Sequence, residues 1–315
     1  MAQEDCKISV IIATRNRAEA LEKISLPALA KQTLKDFEVI VWDASDNDDS
    51  AEVVKRFPEL NIRYFKAPRV GICSQRNDAV KVVRGEIVYF MDDDSEPSPD
   101  ALEAIYEAMS TGELAGCSPP LIQEKLNKKM GIKSGFTTLG KKMFFLGDFS
   151  KSRVVLKSGR NQFPISDSPG RAQWLSGCSM AFCRDALKNL PFDEELQRFG
   201  GYALGDDVMF SYNLFKKGGV LLILDKGHVM HHQAVGGREV YTNLAAARLY
   251  NSFLIWKKTV LPYDKKSIVA LILSIFGSLF LSVLELLFRR NPVPLKGFFL
   301  GVKEILKYTL RSKKR

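Results

Sequence analysis

The sequence predicts an α/β fold: a mostly parallel sheet, Rossmann-like, flanked by helices, with a helical C-terminal tail. Three observations predict it. Short apolar runs alternate with helix-like segments at the spacing of right-handed βαβ units. One run, Ile87 to Met91, is apolar or aromatic throughout, as a strand buried on both faces requires. Polar groups stand at three strand ends, Thr14 to Arg17, Asp43, and Asp92 to Asp94, where open α/β sheets bind their ligands.

Taken in order, Lys7 to Ala13 reads as a buried strand, followed by the polar loop Thr14-Arg15-Asn16-Arg17. Ala18 to Gln32 has helical spacing, which Pro27 should kink or restart because it lacks an N–H. Phe37 to Trp42 is the second strand and ends at Asp43. The loop Ala44 to Ser50 supplies N-cap residues for a helix over Ala51 to Phe57. Asn61 to Phe65 suits a short third strand. The segment from Val70 opens a helix that ends near Arg84-Gly85, and Ile87 to Met91 is the next strand. Beyond it Pro97 and Pro99 oppose any regular interior. Ala101 to Met109 is a helix and Leu114 to Ser118 a strand. Gln123 to Pro169, rich in Lys, Gly and Ser, reads as a variable surface region able to cover a substrate.

Order returns at Ala172 to Phe182, where Gly177 suggests close backbone approach. Arg184 to Leu190 is a short helix. Asp206 and Asp207 open a helix, Val208 to Lys217, that stops at Gly218-Gly219. Capping and dipole alone would accommodate acids there. Val220 to Leu224 is a strand. His228, His231 and His232, all the histidines in the chain, follow within five residues, a clustering that suits a metal or phosphate role.

Asp92, Asp93 and Asp94 repel one another unless a cation joins them. An Asp-x-Asp pair of hard oxygen ligands at a sheet edge suits Mg²⁺ or Mn²⁺, ions that bind through a carboxylate or two plus substrate phosphates. An acidic loop capping the next helix is the bland reading of the same residues.

The chain has 315 residues and a net charge of +10. Residues 257–315 hold 13 basic and 3 acidic residues, so the excess charge sits there and the remainder is neutral. A neutral domain with a basic apolar tail points to an anionic membrane surface rather than nucleic acid. Ser267 to Phe288 is apolar except for Glu285 and long enough to span a bilayer, yet basic residues flank it on both sides, which conflicts with a simple span. Leu295, Phe298, Phe299, Val302, Ile305, Leu306 and Leu310 then recur at helical spacing, as in an interfacial helix. The favoured reading is a tail lying in the cytoplasmic leaflet. A single span is the second reading, and ordinary helices packing on the domain or on a second subunit of a homo-oligomer the third. The five scattered cysteines fit neither a zinc site nor a disulfide framework and suit a reducing, cytoplasmic setting. The N-terminus lacks a signal-peptide layout.

Several of these segments, in this order, resemble the family-two glycosyltransferases of the GT-A fold over about Lys7 to Lys257. They are the opening SVIIATRNR through VWDAS, then VGICSQRNDAV through FMDDDSEPSPD, WLSGCSMAFCRDAL with the later FDE, and GDDVMFSYNLFKKG. The resemblance implies a GT-A domain over 1–256, with a nucleotide-binding half 1–118 and an acceptor-side half 119–256, ahead of the helices of 257–315. It implies an inverting transfer from a UDP-, GDP- or dTDP-sugar to an acceptor hydroxyl, and the basic tail suggests that the acceptor is a glycan or lipid-linked intermediate at the inner membrane face. Thr14, Arg15, Arg17 and Asp43 would hold the nucleoside, with Arg76, Asp92 and Asp93 nearby. Asp94, with Asp92 and either His231 or His232, would ligate Mg²⁺ or Mn²⁺. Trp174 and Gly177 would lie on the acceptor side. Asp207 would be the base, although the usual Glu of the acidic pair is Asp206 here, which leaves Asp206 a contender.

Two other classes use related residues. A sugar nucleotidyltransferase would also carry a sheet-edge acid pair, but generally with a glycine-rich loop after the first strand, and ATRNRAEAL has no glycine. A silent transferase-like membrane adaptor would be expected to lose its acids, and all are present.

Overall fold

The computed structural model describes residues 6–123, 140–147, 153–161, 167–232 and 241–312. Its first part runs β1 (Ile8–Thr14), α1 (Ala18–Ala20), α2 (Leu26–Ala30), β2 (Phe37–Asp43), α3 (Asp49–Val54), β3 (Ile62–Lys66), α4 (Ile72–Val80), β4 (Ile87–Met91), β5 (Ser95–Pro97) and α5 (Ala101–Met109). Short strands follow, β6 (Gly116–Ser118), β7 (Leu121–Gln123), β8 (Gly170–Ala172) and β9 (Ser179–Cys183), then α6 (Arg184–Lys188) and α7 (Asp206–Lys216). The chain closes with β10 (Leu221–Ile223), β11 (Val229–His231), α8 (Tyr241–Ile255), α9 (Ile268–Arg289) and α10 (Val293–Ser312).

The main sheet has the order β3-β2-β1-β4-β9-β6-β10-β8. The predicted parallel arrangement holds through β3-β2-β1-β4, with Thr14 opposite Asp43 and Ile12 opposite Met91. It stops at β9, which is antiparallel to both β4 and β6. Side chains alternate across the sheet as the strand pleat demands. Val88 and Phe90 join Ile11, Phe182 and Phe210 on one face, while Tyr89 and Met91 join Val10, Ile12, Leu102 and Ile105 on the other.

Pro27 does restart its helix. A π turn, Leu21–Ser25, separates α1 from α2, and Pro27 stands in the first turn of α2, where its missing N–H is harmless. Pro97, by contrast, does not prevent a strand. It ends β5, an edge strand of a small sheet ordered β5-β11-β7, and edges tolerate proline. Most of Gln123 to Pro169, the predicted covering region, lies outside the described residues.

The C-terminal helices are packed on the domain. The position proposed as a boundary, Lys257, falls inside a π turn, Trp256–Val260, that continues α8. Gly301 of α10 lies against α8 so closely that a methyl group there would stand 3.0 Å from the Ala246 carbonyl oxygen. Helix α9 buries a stripe of Ala270, Leu271, Ser274, Gly277 and Ser282. Its opposite face leaves Val269, Ile272, Phe276, Leu287 and Phe288 exposed. Among the described residues, this is the one helix long and apolar enough to cross a bilayer.

Candidate active site

The tight turn after β4 directs three consecutive carboxylates to three different places. Asp93 turns inward, where it accepts 2.6 Å from the Thr14 hydroxyl and pairs at 3.0 Å with Arg17. Asp94, 3% exposed, receives the other Arg17 nitrogen at 2.6 Å and faces His231 Nε2 at 3.2 Å. Asp92 faces a cavity, with its side chain one-third exposed and Arg76 at 3.5 Å.

The histidine comes from the small sheet. Antiparallel pairing sets His231 opposite Ser95, next to Asp94, and the His232 N–H donates 3.1 Å to the Asp94 carbonyl. Strand alternation then sends the two rings to opposite sides. His231 joins Asp92 and Asp94 in a group whose ligand atoms lie within 4.8 Å of one another. His232 instead meets Glu96 at 2.6 Å, and His228 is exposed. Two carboxylates and an imidazole suit Mn²⁺ or Mg²⁺. Burial alone would raise Asp94, but the His231 and Arg17 contacts outweigh it and hold the carboxyl well below its usual range. Burial pushes Asp93 the other way, up to about 7, against the pull of Arg17 and Thr14.

The second acidic pair opens α7, after Gly205 in a left-handed conformation at φ +82°. Its two members do different things. Asp206 is buried and pairs with Arg76. Asp207 accepts from the Gly177 N–H and the Val208 N–H, each at 2.8 Å. Burial pushes its carboxyl up to about 6, with the neighbouring Asp206 adding to the rise and the two N–H groups opposing it. Arg76, 4% exposed, also donates 3.0 Å to the Gly177 carbonyl, and its guanidinium lies over the rings of Phe90 and Phe192. A side chain at Gly177 would begin 3.0 Å from that guanidinium and press on it. Arg76 therefore ties Asp92, Asp206 and the Asp207 anchor into one unit.

Both acidic groups line one cavity of about 970 Å³. Asp92, Asp93, Arg17 and His231 form one wall; Gly177, Asp206 and Asp207 form another. The remaining predicted residues are placed differently. Asp43 is fully buried and accepts from the Ser45 N–H and the Tyr64 hydroxyl, both at 2.8 Å. Arg15 is half exposed and lies 3.8 Å from Asp46. Neither lines the cavity. Trp174 does, although it is fully buried beneath Arg153, whose guanidinium lies 5.3 Å from the indole. Sequence reasoning passed over Tyr202, Arg160, Arg248 and the residues of α9 and α10 that complete the walls. Tyr202 had a signal in the glycine-rich stretch before the acids; Arg160 and the helices had none, because only the tertiary fold brings them here.

Comparison with known proteins bears on the family and the fold. Residues 9–159 match the family model described as glycosyl transferase family 2. Chondroitin synthase of Escherichia coli is 27% identical over 282 residues, 82% of this chain and 39% of that protein. The GalNAc(5)-diNAcBac-PP-undecaprenol beta-1,3-glucosyltransferase of Campylobacter jejuni is 31% identical over 152 residues, 46% of this chain and 49% of that protein. The chain thus spans half or less of these relatives' length. Among solved structures, a mannosyltransferase from Pyrobaculum calidifontis in complex with GDP-Man and Mn²⁺ superposes with a TM-score of 0.55 at 16% identity, covering 96% of this chain and 88% of that one. That likeness shows the fold alone, a mixed α/β GT-A type.

Proposed function

We propose that this chain, which belongs to glycosyl transferase family 2 through residues 9–159, moves a sugar from a nucleoside-diphosphate donor to an acceptor hydroxyl with inversion. One observation carries the reading: Asp92 and His231, which with Asp94 form a group able to hold a cation, line the same cavity as Asp207. A single displacement needs that arrangement, with the leaving diphosphate on one side of the anomeric carbon and the acceptor hydroxyl on the other.

Asp92, Asp94 and His231 would hold the divalent cation, which when bound neutralises the charge building on the leaving diphosphate. Asp207 takes the acceptor proton. Two backbone N–H groups orient its carboxylate, and each oxygen keeps a lone pair for the hydroxyl. Asp206 does not serve as the base on this reading, because Arg76 holds its carboxylate. Asp43 and Arg15 remain the proposed nucleoside side, with Tyr64 as the group a base would have to displace or stack beside. The C-terminal helices would lie on the cytoplasmic face of the inner membrane, and the acceptor would be a glycan or a lipid-linked intermediate. The relative acting on a PP-undecaprenol substrate supports that acceptor class.

The test has two parts. A thermal-shift panel of UDP-, GDP- and dTDP-sugars, each with and without Mn²⁺, should give one nucleotide a metal-dependent stabilisation. Asp207→Asn should keep that stabilisation and lose transfer by ~10²–10⁴-fold, the range for a positioned general base. Full transfer by Asp207→Asn would remove the assignment.

A further inference from the structure

The cavity does not end at the acids. It continues outward between α8, α9 and α10, where Leu249, Ile255, Leu281 and Phe298 give it apolar walls. Two arginines, Arg160 and Arg248, line the same stretch, and Lys141 stands nearby on the wall. Arg160 donates to Ser274 at 2.9 Å and Ser278 at 2.7 Å, both on α9. Among the described residues no carboxylate lies within ion-pair distance of Arg160 or Arg248. Burial pushes the Arg160 guanidinium down to about 10, and the like charge of Arg248 adds to the fall. Cations inside proteins are ordinarily paired. Among the described residues the partly buried Arg160 meets only serine hydroxyls and the nearby Arg248, so an anion in this part of the cavity would face two cations, and the apolar walls suit a hydrocarbon chain.

We propose that Arg160 and Arg248 bind the phosphate or diphosphate of a lipid-linked acceptor, with its chain between α8, α9 and α10 and its sugar end directed toward Asp207. This rests on the transferase reading and narrows its acceptor. Arginine forks match phosphate oxygens in pairs, and a serine-anchored guanidinium such as Arg160 is already oriented for that contact. No bond is made or broken at this site; its role is to position the acceptor.

The probe is farnesyl diphosphate, titrated by calorimetry into the full chain in mild detergent with EDTA, so that metal-dependent nucleotide binding does not contribute. Wild type should bind it, and should bind farnesol and inorganic pyrophosphate more weakly. Arg248→Gln, at an exposed position, should weaken it by roughly tenfold or more, the effect of one lost charge-assisted hydrogen bond, while the thermal unfolding midpoint of the variant is read alongside. Arg160→Gln should do the same, and Asp94→Asn should leave it intact. Equal binding by wild type and Arg248→Gln would overturn the proposal, as would equal binding of farnesol and farnesyl diphosphate. It would also fail if Arg248→Gln lost affinity for phosphatidylglycerol vesicles while keeping farnesyl diphosphate, because the arginines would then face membrane headgroups. Nucleotide binding with Mn²⁺ is read on the same wild-type preparation. Its absence beside intact farnesyl diphosphate binding would sink the transferase reading and leave the anion site standing.

Discussion

Asp207 and Asp206 are neighbours in sequence with opposite assignments, and the difference is what each carboxylate touches. Asp206 has a guanidinium; Asp207 has two amide N–H groups and an open cavity. A base must be ionised, and Asp207 is pushed up to about 6 by burial and by Asp206. Its charged form is lost as pH falls through that value, so kcat/KM should decline on the acid side of about pH 6, by about tenfold per unit. The limb belongs to the coupled pair rather than to either acid alone. Asp94 stays ionised throughout because its pKa lies below the usual range. A profile at saturating Mn²⁺ that stays flat down to the ordinary carboxylate range would exclude Asp207. Arg76 offers a second test. Replacing it with Met leaves the Asp206 carboxylate buried beside no cation, a change that costs roughly 3–5 kcal/mol. Urea unfolding of Arg76→Met should show that loss, and adding Asp206→Asn should restore part of it.

At the level of elements, the sequence makes the central strands plain and hides the small sheet. Ile87–Met91 is legible because an unbroken apolar run between a glycine and three acids has few other uses. β5 and β11 have three residues each, too short for any periodicity, and β5 ends in a proline. Yet their pairing decides which histidine reaches Asp94. From sequence, His231 and His232 are nearly equivalent; a one-residue shift of strand register exchanges them. His231→Gln should therefore abolish the Mn²⁺-dependent thermal stabilisation, while His232→Gln, which loses only its contact with Glu96, should retain it. Asp43 marks the reverse case. The strand end is where the sequence places it, but the side chain is closed in by the local Ser45 N–H and by Tyr64, a contact that no local pattern announces.

For the whole molecule, the separation of charge along the chain becomes a separation in space. Lys265, Lys266, Arg289 and Arg290 stand at the two ends of α9, and its outer face is apolar. A helix with one face buried on its own domain, basic ends and an apolar outer face fits a surface position better than a free span. Ile272, Phe276 and Phe280, all substantially exposed, would carry much of the attachment. Replacing the three with Ser should weaken binding to phosphatidylglycerol-containing vesicles on the order of 100-fold in a sedimentation assay. Added salt should weaken the wild type as well, because the lysines and arginines contribute through a screened field. Unchanged sedimentation would assign the outer face to contacts between copies of the chain.

The shared cavity wall has a consequence for how such a protein can change. On the proposed reading donor chemistry belongs to the acids after β4, whereas residues of α8, α9 and α10 complete the same cavity. If both proposals hold, attachment and acceptor choice would occupy two sides of the same helices. A graft of these helices from a relative would behave as an exchangeable cartridge, readdressing the catalyst to a new compound and a new surface in one step while its nucleotide preference stayed fixed.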